Sequence, residues 1–129
     1  MILLDTHALV WAVAAPNRLS RTAEAAIRRA RAKDGVAISA ITLWELANLV
    51  ARGRIQAYGT VEASVRLLSE GVTIRPLTAE IAALATQFPD DYPRDPADRI
   101  IGATARAEGL VLVTHDEKIR SSPLLQTLW

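Results

Sequence analysis

Four acidic residues stand where a chain that alternates strands with helices could gather them. Asp5 ends the apolar run Met1–Leu4, and Asp116 follows the run Leu110–Thr114. Glu45 comes soon after the run Val36–Ser39, and Asp98 follows Pro96 at the head of a helical stretch. Carboxylates are oxygen donors for hard divalent cations such as Mg²⁺ and Mn²⁺. Four of them in one crevice repel one another and take up protons unless a counter-charge enters. A cation supplies that charge, polarises a phosphoryl oxygen and activates water, and a second cation also stabilises the leaving oxygen. The chemistry open to such a set is hydrolysis of a phosphodiester.

The elements that must position these acids are legible from periodicity and punctuation. Met1–Leu4 and Val36–Ser39 read as buried strands, and residues 72–74 and the run Leu110–Thr114 as two further strands. Between them lie helix-length stretches: His7–Ala14, stopped by Pro16; Ser20 to about Lys33; about Thr42 to Arg52, closed by Gly53; Thr60–Glu70; and Thr78 to about Gln87. Phe88–Arg94, with Pro89 and Pro93, is a loop. Asp95 and Pro96 then open a helix at its N-cap and N1 positions, and Gly109 ends it. A helical turn over Glu117–Arg120 and a final edge strand within Leu124–Trp129 complete the pattern. Alternation of this kind predicts an α/β fold of three layers, a mostly parallel sheet of four to five strands with helices on both faces, in one domain over residues 1–129. Ligands of such sheets bind beyond the carboxyl ends of the strands. All four acids are expected on that rim, with Glu45 and Asp98 each in a first helical turn.

The totals narrow the setting. Half of the residues are hydrophobic, which suits a folded core. The net charge of +1 favours no particular partner. The absence of cysteine excludes disulfides and thiolate metal sites and fits a reducing cytosol. Met1–Asp5 lacks the basic region of a signal peptide, and the longest apolar stretch, Ala8–Ala15, is far short of the roughly 20 residues of a membrane span. A cytoplasmic protein with no membrane segment is expected.

Each acid also has a local, structural role open to it. Glu45 stands three residues after Thr42, the spacing of a capping box. Asp95 before Pro96 is a good N-cap, Asp98 complements a helix dipole, and Asp116 could cap the short helix behind it. Asp5, closing a buried strand, needs a partner of some kind. Convergence of the set, rather than any one member, carries the functional reading. His7 and His115 are read as a helix-start and a loop residue, outside the ligand set. Trp11 and Trp44, on apolar helices, read as packing residues of the core or of a protein interface. Arg99, beside Asp98, is placed to meet a phosphate or to hold a carboxylate. Arg52, Arg54 and Arg94 could line an approach for backbone phosphates.

The chain resembles the PIN-domain ribonucleases, and within them the VapC-type toxins of bacterial toxin–antitoxin pairs. Four segments carry the likeness: Leu3-Leu4-Asp5-Thr6-His7-Ala8-Leu9-Val10-Trp11, Ser39-Ala40-Ile41-Thr42-Leu43-Trp44-Glu45-Leu46, Arg94-Asp95-Pro96-Ala97-Asp98-Arg99-Ile100-Ile101-Gly102-Ala103-Thr104-Ala105 and Leu112-Val113-Thr114-His115-Asp116. The resemblance implies that Asp5, Glu45, Asp98 and Asp116 are the catalytic acids that bind Mg²⁺ or Mn²⁺. It makes Asp95 an auxiliary acid and Thr6 and Thr114 polar neighbours of the metal. It further implies an RNA substrate, a homodimer, and inhibition by a small antitoxin. Two other readings of the same residues stand beside it. One is an aspartyl-phosphate phosphatase using Asp5, although His7 occupies the usual place of its second Asp and only Lys33 and Lys118 could serve as its lysine. The other is a non-catalytic RNA-binding or regulatory module.

Overall fold

The computed structural model describes residues 1–129. Five strands, β1 (Ile2–Leu4), β2 (Val36–Ser39), β3 (Thr73–Arg75), β4 (Val111–Val113) and β5 (Thr127–Leu128), form one sheet in the order β3-β2-β1-β4-β5. Every pairing is parallel; Leu3 lies between Ala37 of β2 and Leu112 of β4. Seven helices connect the strands: α1 (Thr6–Ala14), α2 (Arg21–Ala32), α3 (Ala40–Ala51), α4 (Val61–Leu68), α5 (Ala79–Ala85), α6 (Pro96–Glu108) and α7 (Glu117–Arg120). A short 3-10 turn, Pro16–Arg18, joins α1 to α2.

Alternation along the short strands divides the core into two layers. Leu4, Val36, Ile38 and Val113 face one side, where Leu9, Ile27, Leu46 and Leu68 of α1 to α4 cover them. Leu3, Ala37 and Leu112 face the other, against Ile81 of α5, Ile101 of α6 and Ile119 of α7. The three-layer α/β architecture expected from the sequence is therefore present, with five strands. No helix is long and apolar enough to cross a membrane.

Capping follows local chemistry. Ser20, Thr60 and Thr78 each accept a hydrogen bond from the backbone N–H three residues on, at the starts of α2, α4 and α5. Gly109 ends α6 with φ of 64°, a left-handed conformation that glycine adopts without penalty. The start of α3 differs from expectation. Ser39, the last residue of β2, is the N-cap, so the helix begins at Ala40 and not at Thr42. Thr42 is buried inside the helix, and Thr42 with Glu45 is not a capping box. The strand-to-helix junction is tighter than the apolar pattern suggested, because Ser39 ends the strand and caps the helix at once.

Candidate metal centre and nucleic-acid cleft

The strand order fixes where a site belongs. From β1 the chain moves outward through β2 to β3, then returns to the other side of β1 for β4 and β5. The order reverses between β1 and β4, and the crevice beyond their carboxyl ends is the switch point of the sheet. Asp5 leaves β1 and Asp116 leaves β4, so these two acids flank that crevice. A cleft of about 780 Å³ opens there, with Asp5, Glu45, Asp95, Asp98 and Asp116 all in its wall.

Each carboxylate is held differently. Asp5 donates its backbone N–H to Val113 O at 3.1 Å, which ties the strand end to β4. Its side chain caps α1, with Oδ1 accepting from Ala8 N at 2.8 Å. Asp116 caps α7 through Oδ1 and Ile119 N at 3.0 Å, while its own N–H donates to the buried Thr114 hydroxyl at 3.1 Å. Asp95 caps α6 through Oδ1 and Ala97 N at 3.0 Å. Capping in all three uses one carboxylate oxygen, which fixes the rotamer and leaves Oδ2 outside the cap. Glu45, part of a turn further into α3 than the sequence suggested, accepts a short hydrogen bond on Oε1 from the Thr6 hydroxyl. Thr6 is itself buried, 3.3 Å from the Thr42 hydroxyl. Asp98 lies in the first turn of α6, as expected.

The electrostatics are those of an uncompensated acidic cluster. Burial pushes the Asp98 carboxyl up to about 7, and the neighbouring charges of Asp95, Glu45, Asp116 and Asp5 push in the same direction. Glu45 is raised by burial, with Asp95 and Asp5 adding to the effect and the Thr6 hydroxyl and His7 opposing it. Asp5 is raised by burial, with Asp116 adding, against hydrogen bonds from Thr114 and Ala8 and the charge of His7. None of the ion pairs in the protein involves these acids. An all-oxygen donor set without a counter-charge suits a hard divalent cation. The acids share the cleft wall without any three carboxylate or imidazole groups being drawn up around one point.

Two expectations change. The Arg99 guanidinium faces neither a carboxylate nor the cleft. It donates to four backbone carbonyls of the preceding loop: Pro93 from Nε, Phe88 from Nη1, and Pro89 and Tyr92 from Nη2. Its planar fork gathers these loop oxygens, of which Pro89 O also accepts from Tyr92 N within the loop at 3.1 Å. Of the two packing roles read for Trp44, its 63% exposure removes the core and leaves the protein interface; α3 turns it outward, one position before Glu45. Among the arginines, Arg54 lines the cleft and Arg52 lines an adjoining groove, while Arg94 lines neither. Arg18 also lines the cleft and carried no local signal in the sequence. Neither Lys33 nor Lys118 reaches the cleft wall, which leaves the phosphatase reading without its lysine.

An acidic cleft at the switch point of a parallel sheet, with helices on both faces, is the arrangement that fold and site present. A family model described as PIN domain matches residues 2–123. Over 130 aligned residues the chain is 42% identical to Ribonuclease VapC22 of Mycobacterium tuberculosis, covering 99% of this chain and 98% of the relative. The chain belongs to the PIN-domain family. Among solved structures, VapBC2 from Rickettsia felis, bound to a DNA fragment from its promoter, superposes with a TM-score of 0.75 at 19% identity, over 99% of this chain and 98% of that one. VapC20 of Mycobacterium tuberculosis, described as a Sarcin-Ricin loop cleaving toxin, superposes with a TM-score of 0.65 at 20% identity, over 98% of both chains. These two structures share the fold.

Proposed function

We propose that the protein is a Mg²⁺- or Mn²⁺-dependent endoribonuclease, acting in the cytoplasm as the toxin of a toxin–antitoxin pair. The observation that carries this reading is the cleft itself: Asp5, Glu45, Asp98 and Asp116 line one crevice at the switch point, with no basic partner. The 42% identity to a VapC ribonuclease supports RNA as the substrate, and the fold shared with VapBC2 supports a small antitoxin as partner. A homodimer accords with the family resemblance.

Asp5, Glu45, Asp98 and Asp116 would hold the cation, which supplies Lewis acidity toward a phosphoryl oxygen and toward water. The chain contributes orientation and charge. The caps on Asp5 and Asp116 fix one oxygen of each and so aim the other. Thr6 fixes Glu45, and Thr114 sits between Asp5 and the backbone of Asp116. Asp95 adds negative charge beside Glu45 and Asp98 and strengthens the demand for a cation. Asp98 retains its proton until the pH nears 7 or a cation takes the proton's place. Arg54 and Arg18 on the cleft wall attract the RNA backbone and offset its repulsion by the acids.

The test is cleavage of total cellular RNA by purified, antitoxin-free protein with Mg²⁺ or Mn²⁺, with EDTA, and with Asp98→Asn and Asp5→Asn. Discrete fragments are expected only with metal and the parent sequence, with rates at least 100-fold lower in either variant, on the order of one catalytic contact. Undiminished cleavage by folded Asp98→Asn protein, or cleavage that persists in EDTA, overturns the assignment.

A further inference from the structure

Beside the acids, at the α1 rim of the cleft, four aromatic rings from three parts of the chain meet. Trp11 of α1 is the hub. Its ring centroid lies 5.9 Å from His7, 5.8 Å from His115 and 5.7 Å from Trp129, at tilted or edge-on angles. His115 and Trp129 close the cluster at 5.1 Å. The Arg18 guanidinium stands 4.6 Å over the Trp11 ring and has no acidic partner.

Core packing explains only part of this group. Trp11 and Trp129 are half-buried and rest on the core layer under α1. His7, His115 and Arg18 are exposed, and packing does not require imidazoles or an unpaired guanidinium there. His7, Trp11, Arg18 and His115 line the same cleft as the carboxylates, and Trp129 lines the neighbouring hollow, where Arg120 also lies. The rings thus form a ridge between two recesses, each carrying an arginine. Flat amphipathic faces alternating with cations match single-stranded nucleic acid, in which each base has a π-face and each phosphate a charge.

We propose that His115 and Trp129, braced by Trp11 and His7, form a stacking subsite for an unpaired base of the RNA adjoining the scissile phosphate, with Arg18 meeting the backbone phosphate. The subsite rests on the ribonuclease reading for its substrate. It makes the enzyme select single-stranded or splayed RNA, since a paired base has no free face to offer. Because every base can stack, the ridge supplies affinity and placement more than base identity.

The experiment is a tryptophan-fluorescence titration of a short single-stranded RNA, in Mg²⁺, against Asp98→Asn protein that also carries Trp44→Phe to remove the exposed indole outside the ridge. The same oligonucleotide with one abasic ribose, moved position by position, is the control. Quenching is expected on binding. His115→Ala and Trp129→Ala each weaken binding about 5- to 100-fold, Trp129→Phe restores most of it, and one abasic position removes the difference between parent and variant. His115 is exposed, so its variant keeps the fold even where Trp129→Ala does not. In parallel, His115→Ala in the otherwise native protein raises KM for RNA more than it lowers kcat. Unchanged affinity in His115→Ala and in folded Trp129→Ala, with no sensitive abasic position, overturns the subsite while leaving the nuclease intact. Absence of cleavage by the native protein together with ring-dependent quenching overturns the nuclease and leaves the subsite as an RNA-binding ridge.

Discussion

Gly102 and Tyr92 share a space that holds only one of a β-carbon and a phenol. A Cβ built on Gly102 falls on the Tyr92 hydroxyl, 3.0 Å from its Cζ and 3.2 Å from Cζ of Phe88. Tyr92 stacks on Phe88 with ring centroids 4.1 Å apart, and its hydroxyl donates to Asp98 O at 3.3 Å. The loop that precedes α6 is thereby pressed against the helix that carries Asp98. Gly102→Ala gains about 1 kcal/mol of helix propensity. Overpacking costs about 1–3 kcal/mol and wins, because both rings are buried and fixed. Denaturant melts should show net destabilisation, with Gly102→Ala/Tyr92→Phe less unstable than the sum of the single variants. Strict additivity would mean that the two residues do not compete.

Arg99 holds the same loop by a different route. Four of its donors serve four carbonyls of one segment, and lysine cannot reproduce that planar fork. Arg99→Lys should lower stability by about 1–3 kcal/mol and expose Phe88–Pro93 to limited proteolysis. Direct RNA binding by Arg99 would show itself as weakened RNA affinity without any change in loop protection.

Stability without metal should fall as the pH rises. Asp98 in the folded protein keeps its proton up to about 7, whereas the unfolded chain releases it near 3.8. Between those values the unfolded state has lost a proton that the folded state still binds, so raising the pH favours unfolding. The contribution is complete below about pH 4 and gone above about pH 7. Asp5 and Glu45, also raised, act with the same sign. Urea midpoints in EDTA should therefore drop between pH 5 and pH 8, with a shallower drop in Asp98→Asn. Mg²⁺ should raise the midpoint more at pH 8 than at pH 5, since protons compete with it for the carboxylates. An identical pH slope in Asp98→Asn would remove Asp98 as the source.

Thr6 is the orienting partner of Glu45, and its hydroxyl also opposes the rise in that carboxyl's proton affinity. Thr6→Val keeps the shape and removes the donor. Mg²⁺ affinity by calorimetry should fall on the order of 10-fold, as for other outer-shell partners of metal ligands, and Thr6→Ser should restore it. Equal affinity in Thr6→Val would leave Glu45 without a need for that hydrogen bond.

Local physics made much of this protein legible in its sequence. Short apolar runs marked β1, β2 and β4. Ser20, Thr60, Thr78, Asp95 with Pro96, and Gly109 marked helix ends through interactions that span only a few residues. The positions of Asp5, Asp98 and Asp116 relative to those elements followed directly. Glu45 was misplaced by part of a turn, because a serine that ends a strand and caps the next helix looks like strand sequence.

Only the tertiary structure decided what meets what. The return of β4 to the free side of β1 sets Asp5 and Asp116 across one crevice, and strand order is chosen by the packing of all the helices together. The bond from Thr6 to Glu45, the clasp of Arg99 on the loop and the meeting of Trp11 with Trp129 join residues whose neighbours in the chain carry no trace of the partner. A side chain's type states which bonds it can make. Which of them it does make depends on the competing groups that folding brings within reach, and for Arg99 these are four loop carbonyls and no carboxylate.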